Sequence, residues 1–188
     1  MEALFTSILL VAVAEIGDKT QLLSFALTAR LREPRAIILG ILVATLANHA
    51  LAATAGVWLA ALVSPTALRY GAAGLFFAFG LWALRPDKLE QVPAAHAAGV
   101  FATALAAFFI AEMGDKTQLA TVALAARFQS LATVVAGTTL GMLIANVPAV
   151  LVGEKLAERI PLGFVRWLAA GLFILTGLAS LLDLGALR

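Results

Sequence analysis

The sequence predicts an all-α integral membrane protein with six transmembrane helices, arranged as two inverted three-helix repeats. Three observations carry that expectation. The 188 residues are 62% hydrophobic and 13% charged, with a mean hydropathy of +1.00. Charges and prolines divide the chain into six apolar stretches. A charged septet near the start recurs at an offset of 97 residues. A soluble domain of this length could not bury so much apolar side chain, which excludes a soluble enzyme, a nucleic-acid binder and a disordered chain. The net charge of +2 argues for no acidic partner, and the absence of cysteine excludes disulfides and thiolate metal sites.

The stretches lie near 4–29, 36–63, 67–84, 99–126, 131–152 and 164–184. Each approaches the roughly 20 helical residues that cross a ~30 Å hydrocarbon core. Helix is the expected form, because lipid cannot satisfy free backbone polar groups. Pro34, Pro65, Pro86, Pro93 and Pro161 mark connections, whereas Pro148 falls inside the fifth stretch. The polar segment 85–98 reads as a linker between a first three-helix repeat, 1–84, and a second, 99–188. Residues 3–14 imitate a signal peptide, but Glu2 is the only early side-chain charge and no basic n-region precedes them. The matching apolar lead-in of the second repeat lies mid-chain, so the first is read as membrane helix.

Glu15-Ile16-Gly17-Asp18-Lys19-Thr20-Gln21 recurs as Glu112-Met113-Gly114-Asp115-Lys116-Thr117-Gln118. The same offset carries Arg30 to Arg127, Gly40 to Gly137, Gly56 to Gly153, Gly74 to Gly171, Phe76 to Phe173 and Gly80 to Gly177. The match therefore extends through three spans of each half. Three is odd, so the second half must enter the bilayer from the opposite side, giving repeats related by a pseudo-two-fold axis in the membrane plane. With the N-terminus outside, the inner loops hold eight Lys and Arg residues (30, 32, 35, 85, 88, 155, 159 and 166) and the outer ones three (69, 127 and 188). That bias puts both termini on the non-cytoplasmic side of what is expected to be a bacterial inner membrane.

The septets fall near the middle of the first and fourth stretches. Six ionisable residues at that depth are costly, about 2.5–3.5 kcal/mol each on insertion scales, and must face one another, a cavity or an ion. On a continuous helix, Glu15, Asp18 and Lys19 share a face with Gln21 beside them, and Glu112, Asp115, Lys116 and Gln118 do the same. Four carboxylates and two lysines leave a net −2, which one divalent cation or two protons would neutralise. Such a site suits exchange. Its oxygen ligands, with Thr20, Thr117, Ser24 or Thr121 hydroxyls at hand, suit Ca2+, Mn2+ or Mg2+ rather than copper or zinc. No catalytic residue or resident cofactor is expected; the cation is cargo.

The metal candidates are thus Glu15, Asp18, Glu112, Asp115, Gln21 and Gln118. The glutamines serve equally well as interhelical hydrogen bonders. Lys19 and Lys116 read as structural ion-pair partners, with Lys19 holding Asp18 ionised. Gly17 and Gly114 either unwind the helix to present carbonyls or pack helices closely. Asn48, His49 and Asn146 lie at membrane depth and are expected to pack against the septets. Pro148 frees the Ile144 carbonyl as a possible ligand. His96 belongs to the linker, and Trp58, Trp82 and Trp167 read as interfacial residues.

The duplicated Glu-x-Gly-Asp-Lys-Thr resembles the family of small membrane cation/proton antiporters that includes bacterial manganese exporters and the Golgi and vacuolar manganese and calcium transporters. The resemblance covers essentially the whole chain. It implies that Glu15, Asp18, Glu112 and Asp115 form the cation site, with Lys19, Lys116, Thr20 and Thr117 inside the motif. It also implies that Mn2+ or Ca2+ leaves the cytoplasm against protons. The expected partners are the bilayer, the cation and protons. Two other classes compete. An intramembrane aspartyl hydrolase would use Asp18 and Asp115 as a proton-sharing dyad, which the adjacent lysines oppose. A passive channel fits paired inverted halves less well than a carrier does.

Overall fold

The computed structural model describes residues 1–86, 99–152 and 162–182. The first half contributes α1 (Glu2–Glu15), α2 (Lys19–Leu31), α3 (Pro34–Leu62) and α4 (Pro65–Ala83). The second contributes α5 (Val100–Glu112), α6 (Lys116–Phe128), α7 (Leu131–Val152) and α8 (Leu162–Leu182). The described residues contain no strand. Of the expected linker, only Arg85 and Pro86 are described; His96, Pro93, Pro161 and Gly153 lie outside the described residues.

The boundaries follow local chemistry. Pro34 and Pro65 open α3 and α4, where a missing N–H costs nothing. Ser64 caps α4 by accepting from the Ala67 N–H at 3.2 Å. Arg32 and Gln129 end α2 and α6 in the left-handed region, at φ 55° and 47°. Among the described residues, three helices are long and apolar enough to cross a bilayer unaided: α3, α7 and α8 over Gly163–Leu182.

The first and fourth expected spans are not single helices. Each is broken inside its septet. α1 ends at Glu15, and Ile16 is extended at φ −65°, ψ 117°. α5 ends at Glu112, and Met113 is extended at φ −62°, ψ 118°. Gly17 (φ 81°) and Gly114 (φ 75°) then take a backbone conformation that L side chains rarely adopt. The pieces α1, α2, α5 and α6 hold only 13 or 14 residues each, roughly 20 Å of helix at 1.5 Å per residue. The helical-wheel expectation of one shared face for Glu15, Asp18 and Lys19 is therefore corrected: a turn, not a helix face, arranges them.

The halves interlock rather than sit side by side. α1 packs on α7 and, reciprocally, α5 packs on α3. A Cβ at Gly40 would come within 2.7 Å of Ala104 Cβ and 3.0 Å of Phe101 O. A Cβ at Gly137 would come within 2.7 Å of Ser7 Cβ and 2.9 Å of Leu4 O. These are the same contacts displaced by 97 residues, so glycine is needed for close approach at equivalent points of both halves. α4 and α8 pack on each other, with Gly80 against Ala170 O and Gly177 against Ala73 O. This pairing makes the two equivalent helices antiparallel. Phe79 and Phe173 meet edge to face there, with ring centroids 5.9 Å apart. α3 is contacted by α5 near its start and by α6 near its end, and it also packs on α7. Both helix breaks consequently come to the middle of the bundle.

Candidate functional site: a carboxylate cluster between two broken helices

Each break delivers a glutamate from a helix C-terminus and an aspartate at the next helix N-terminus. Glu15 and Glu112 are fully buried, and Asp18 and Asp115 are 1% and 3% exposed. Asp18 caps α2, its Oδ1 accepting from the Lys19 N–H at 2.7 Å. Asp115 occupies the same place before α6 but makes no side-chain cap bond.

The two glutamines brace the breaks. Gln21 Oε1 accepts from the Gly17 N–H at 2.9 Å, and Gln118 Oε1 from the Gly114 N–H at 2.7 Å. Their amide nitrogens reach the other half, Gln21 to Ala145 O at 3.0 Å and Gln118 to Asn48 Oδ1 at 3.4 Å. Both amide oxygens expected as ligands are therefore engaged by backbone. The carbonyl taken up near Pro148 is that of Ala145 rather than Ile144.

The lysines pair across the halves, which corrects the expectation that Lys19 serves its neighbour Asp18. Lys19 Nζ lies 2.8 Å from Asp115 Oδ1, and Lys116 Nζ lies 3.0 Å from Asp18 Oδ2. A lysine directly after an N-cap aspartate starts a helix that leads away from it, and the facing half supplies the counter-charge instead. The threonines serve the glutamates. Thr20 donates to Glu15 Oε2, and Thr117 Oγ1 lies 3.1 Å from Glu112 Oε2 and 3.3 Å from Asp115 Oδ2. The second oxygens, Glu15 Oε1 and Glu112 Oε1, are buried with no hydrogen-bond partner.

Glu15, Glu112 and Asp115 each present a ligand atom within 4.8 Å of the others. Three buried carboxylates so close repel strongly unless a cation or protons intervene. The lysines balance the aspartates, so the uncompensated −2 rests on the two glutamates. A hard divalent cation fits this donor set.

The polar residues of α3 and α7 stand behind the cluster. Asn48 Nδ2 donates to Phe109 O at 2.9 Å, and Ser24 Oγ donates to Asn146 Oδ1 at 2.9 Å. Asn146 also donates to Met142 O at 3.1 Å. His49 is fully buried with neither ring nitrogen bonded, and it is not part of the three-carboxylate group. Thr121, at the position equivalent to Ser24, turns its hydroxyl to Thr117 O at 2.8 Å.

Sequence reasoning missed the crossed pairing and the carbonyls of Phe109 and Ala145. One overlooked signal was available: Asp18-x-x-Gln21 and Asp115-x-x-Gln118 have the spacing of a helix-start capping box, which announces a new helix inside the apolar run.

Comparison with known proteins agrees in direction. The chain matches the family described as "Divalent cation/proton antiporter GDT1" over residues 3–91 and 100–186. It is 50% identical over 181 residues to a Vibrio cholerae protein named "Putative manganese exporter", covering 96% of this chain and 90% of that one. It is 31% identical over 202 residues to a GDT1-like protein of Synechocystis, covering 96% and 97%. It is also 31% identical over 217 residues to GDT1-like protein 5 of Arabidopsis thaliana, covering 94% and 93%. No solved structure matches.

Proposed function

The chain belongs to the GDT1 family of divalent cation/proton antiporters, and we propose that it exports Mn2+ from the cytoplasm in exchange for protons. The family consists of transporters rather than enzymes, and divalent-cation transport across a membrane is the activity that membership carries. The finer reading rests on one observation: Glu15, Glu112 and Asp115, drawn from both halves, converge to within 4.8 Å while the lysines offset only the aspartates.

The mechanism follows from that charge balance. Glu15 and Glu112 bind one Mn2+ with Asp115, or take up two protons. Either load brings the site to neutrality, and the bare −2 state is too costly to pass through a closed, water-poor intermediate. Empty turnover is suppressed, and the two loads exchange. Thr20 and Thr117 hold the glutamates in place, while Gln21 and Gln118 hold open the breaks that let them meet. The lysines keep each aspartate paired while the glutamates change partners.

In this reading six membrane crossings form two inverted three-helix halves. The crossings are α1–α2, α3, α4, α5–α6, α7 and α8. Both termini face away from the cytoplasm of a bacterial inner membrane, and the site lies at mid-bilayer. The antiparallel α4–α8 pair and the reciprocal glycine contacts support the inversion.

Proteoliposomes with an imposed pH gradient test the exchange. Wild type should move Mn2+ toward the acidic side, and Glu15→Gln and Glu112→Gln should each abolish it. Gradient-independent Mn2+ movement, or wild-type rates in both variants, would refute the proposal. Ca2+ that outcompetes Mn2+ in the same assay would reassign the cargo and keep the design.

A further inference from the structure

The internal two-fold is broken in two independent places, and both breaks have the same sense. The first is helix packing. α1 packs on α8, and α6 packs on α4. The equivalent pairings, α5 on α4 and α2 on α8, are marginal at most. Arg127, near the end of α6, ties this end together: Nη1 donates to Thr176 O on α8 at 3.3 Å, and Nη2 lies 3.7 Å from Glu2 on α1. The α4–α8 pair is thus closed against the α1/α6 end and stands off from the α2/α5 end. Between the first break and the ends of α4 and α8, Gly17, Asp18, Lys116, Arg85 and Arg166 line a crevice of about 10 Å³, room for about one water.

The second break is in the site itself. Asp115 joins Glu15 and Glu112, whereas Asp18 is held as the cap of α2 and lies outside the group. The Lys19 side chain, on the helix leading to the open end, is 27% exposed; that of Lys116, on the helix leading to the closed end, is 4% exposed.

Applying the two-fold to this structure generates its counterpart. In it, α4 packs on α5 and α8 on α2, and Arg30 takes the role of Arg127 by reaching Phe79 O. Asp115 becomes the cap, accepting from the Lys116 N–H, and Asp18 joins the glutamates. The geometry points to an aspartate handover: the third carboxylate on the cation is Asp115 while the site opens toward the α2/α5 end, and Asp18 while it opens toward the α1/α6 end. The glutamates stay with the ion throughout, and the α4–α8 pair is the moving gate. This inference rests on the divalent-cation reading of the site. Under the proposed orientation, the α2/α5 end faces the cytoplasm.

The chain has no cysteine, so paired spin labels can be placed without background. Labels at positions 5 and 178 report α1 against α8, and labels at the equivalent positions 102 and 81 report α5 against α4. Two populations are expected, in which one distance lengthens as the other shortens, by about one helical turn of 5.4 Å or more. Distances that rise and fall together, or a single population under conditions where Mn2+ is transported, would overturn the gate. Vesicles of known sidedness test the ligand. Asp115→Asn should raise the half-saturating Mn2+ concentration at the cytoplasmic face about tenfold or more, the effect of losing about 1.4 kcal/mol of binding, and change the outer face much less. Asp18→Asn combined with Lys116→Met, which keeps the buried charge balanced, should do the reverse. Equal effects at both faces would sink the handover while leaving antiport standing. Absence of proton-driven exchange in wild type would instead remove the function on which it rests.

Discussion

Asp18→Asn should cost more stability than Asp115→Asn, because of where its partner lies. The Lys116 side chain is 4% exposed and its ammonium sits 3.0 Å from Asp18 Oδ2. Removing the carboxylate takes the closest counter-charge from a buried ammonium, a loss of up to about 3–5 kcal/mol. For a chain of this size that corresponds to a fall of roughly 6–20 °C in the unfolding midpoint. Asp115→Asn takes the ion-pair partner from Lys19, whose side chain is 27% exposed and can turn toward solvent. Its cost should be smaller, about 1–2 kcal/mol. The assay is thermal unfolding in one detergent or lipid, with Lys116→Met and Lys19→Met added in turn to Asp18→Asn. Lys116→Met should restore most of the loss and Lys19→Met none of it. Rescue by Lys19→Met would show that the lysines serve their sequence neighbours, and the crossed arrangement would be wrong. So would a larger loss for Asp115→Asn than for Asp18→Asn.

Other perturbations read other parts of the molecule. Thr117→Val removes a hydroxyl 3.1 Å from Glu112 Oε2; hydrogen bonds to charged groups contribute about 1.5–3 kcal/mol, so half-saturating Mn2+ in a flux assay should rise at least several-fold. Gly40→Ala and Gly137→Ala each force a Cβ to within 2.7 Å of a facing Cβ; both should lose about 1–3 kcal/mol by thermal unfolding, and by similar amounts, since the contacts are equivalent. Protons and Mn2+ compete for the same two glutamates, so apparent Mn2+ affinity should fall as pH falls. Its slope should approach about two decades per pH unit where both protons are displaced, as read by equilibrium binding.

How far the sequence could reveal this site depended on which interactions are local. The 97-residue repeat, the four acids with two lysines and the positions of α3, α4, α7 and α8 are all legible in one dimension. Apolar length and proline punctuation set those helices, and α7 coincides with its expected stretch of 131–152. The breaks were harder. Helical periodicity presumes an unbroken helix, whereas Ile16 and Met113 are extended and the glycines after them have positive φ. The flanking apolar residues give no warning, because membrane-facing sequence is apolar on both sides of a break. The crossed ion pairs could not be read at all: they depend on α1 packing on α7 and α5 on α3, which brings residues 19 and 115 together. His49 shows the converse case. The repeat pairs it with Asn146, yet only Asn146 finds a partner in Ser24.

Everything turns on whether one ion sits between the two breaks. Anomalous scattering from Mn2+ in crystals of the loaded protein measures that directly. The predicted result is a single peak at bonding distance, about 2.1–2.6 Å for hard divalent cations, from Glu15 and Glu112 together with one of the two aspartates. A peak bound by one half alone, or a saturated crystal with no peak between Glu15 and Glu112, would contradict it.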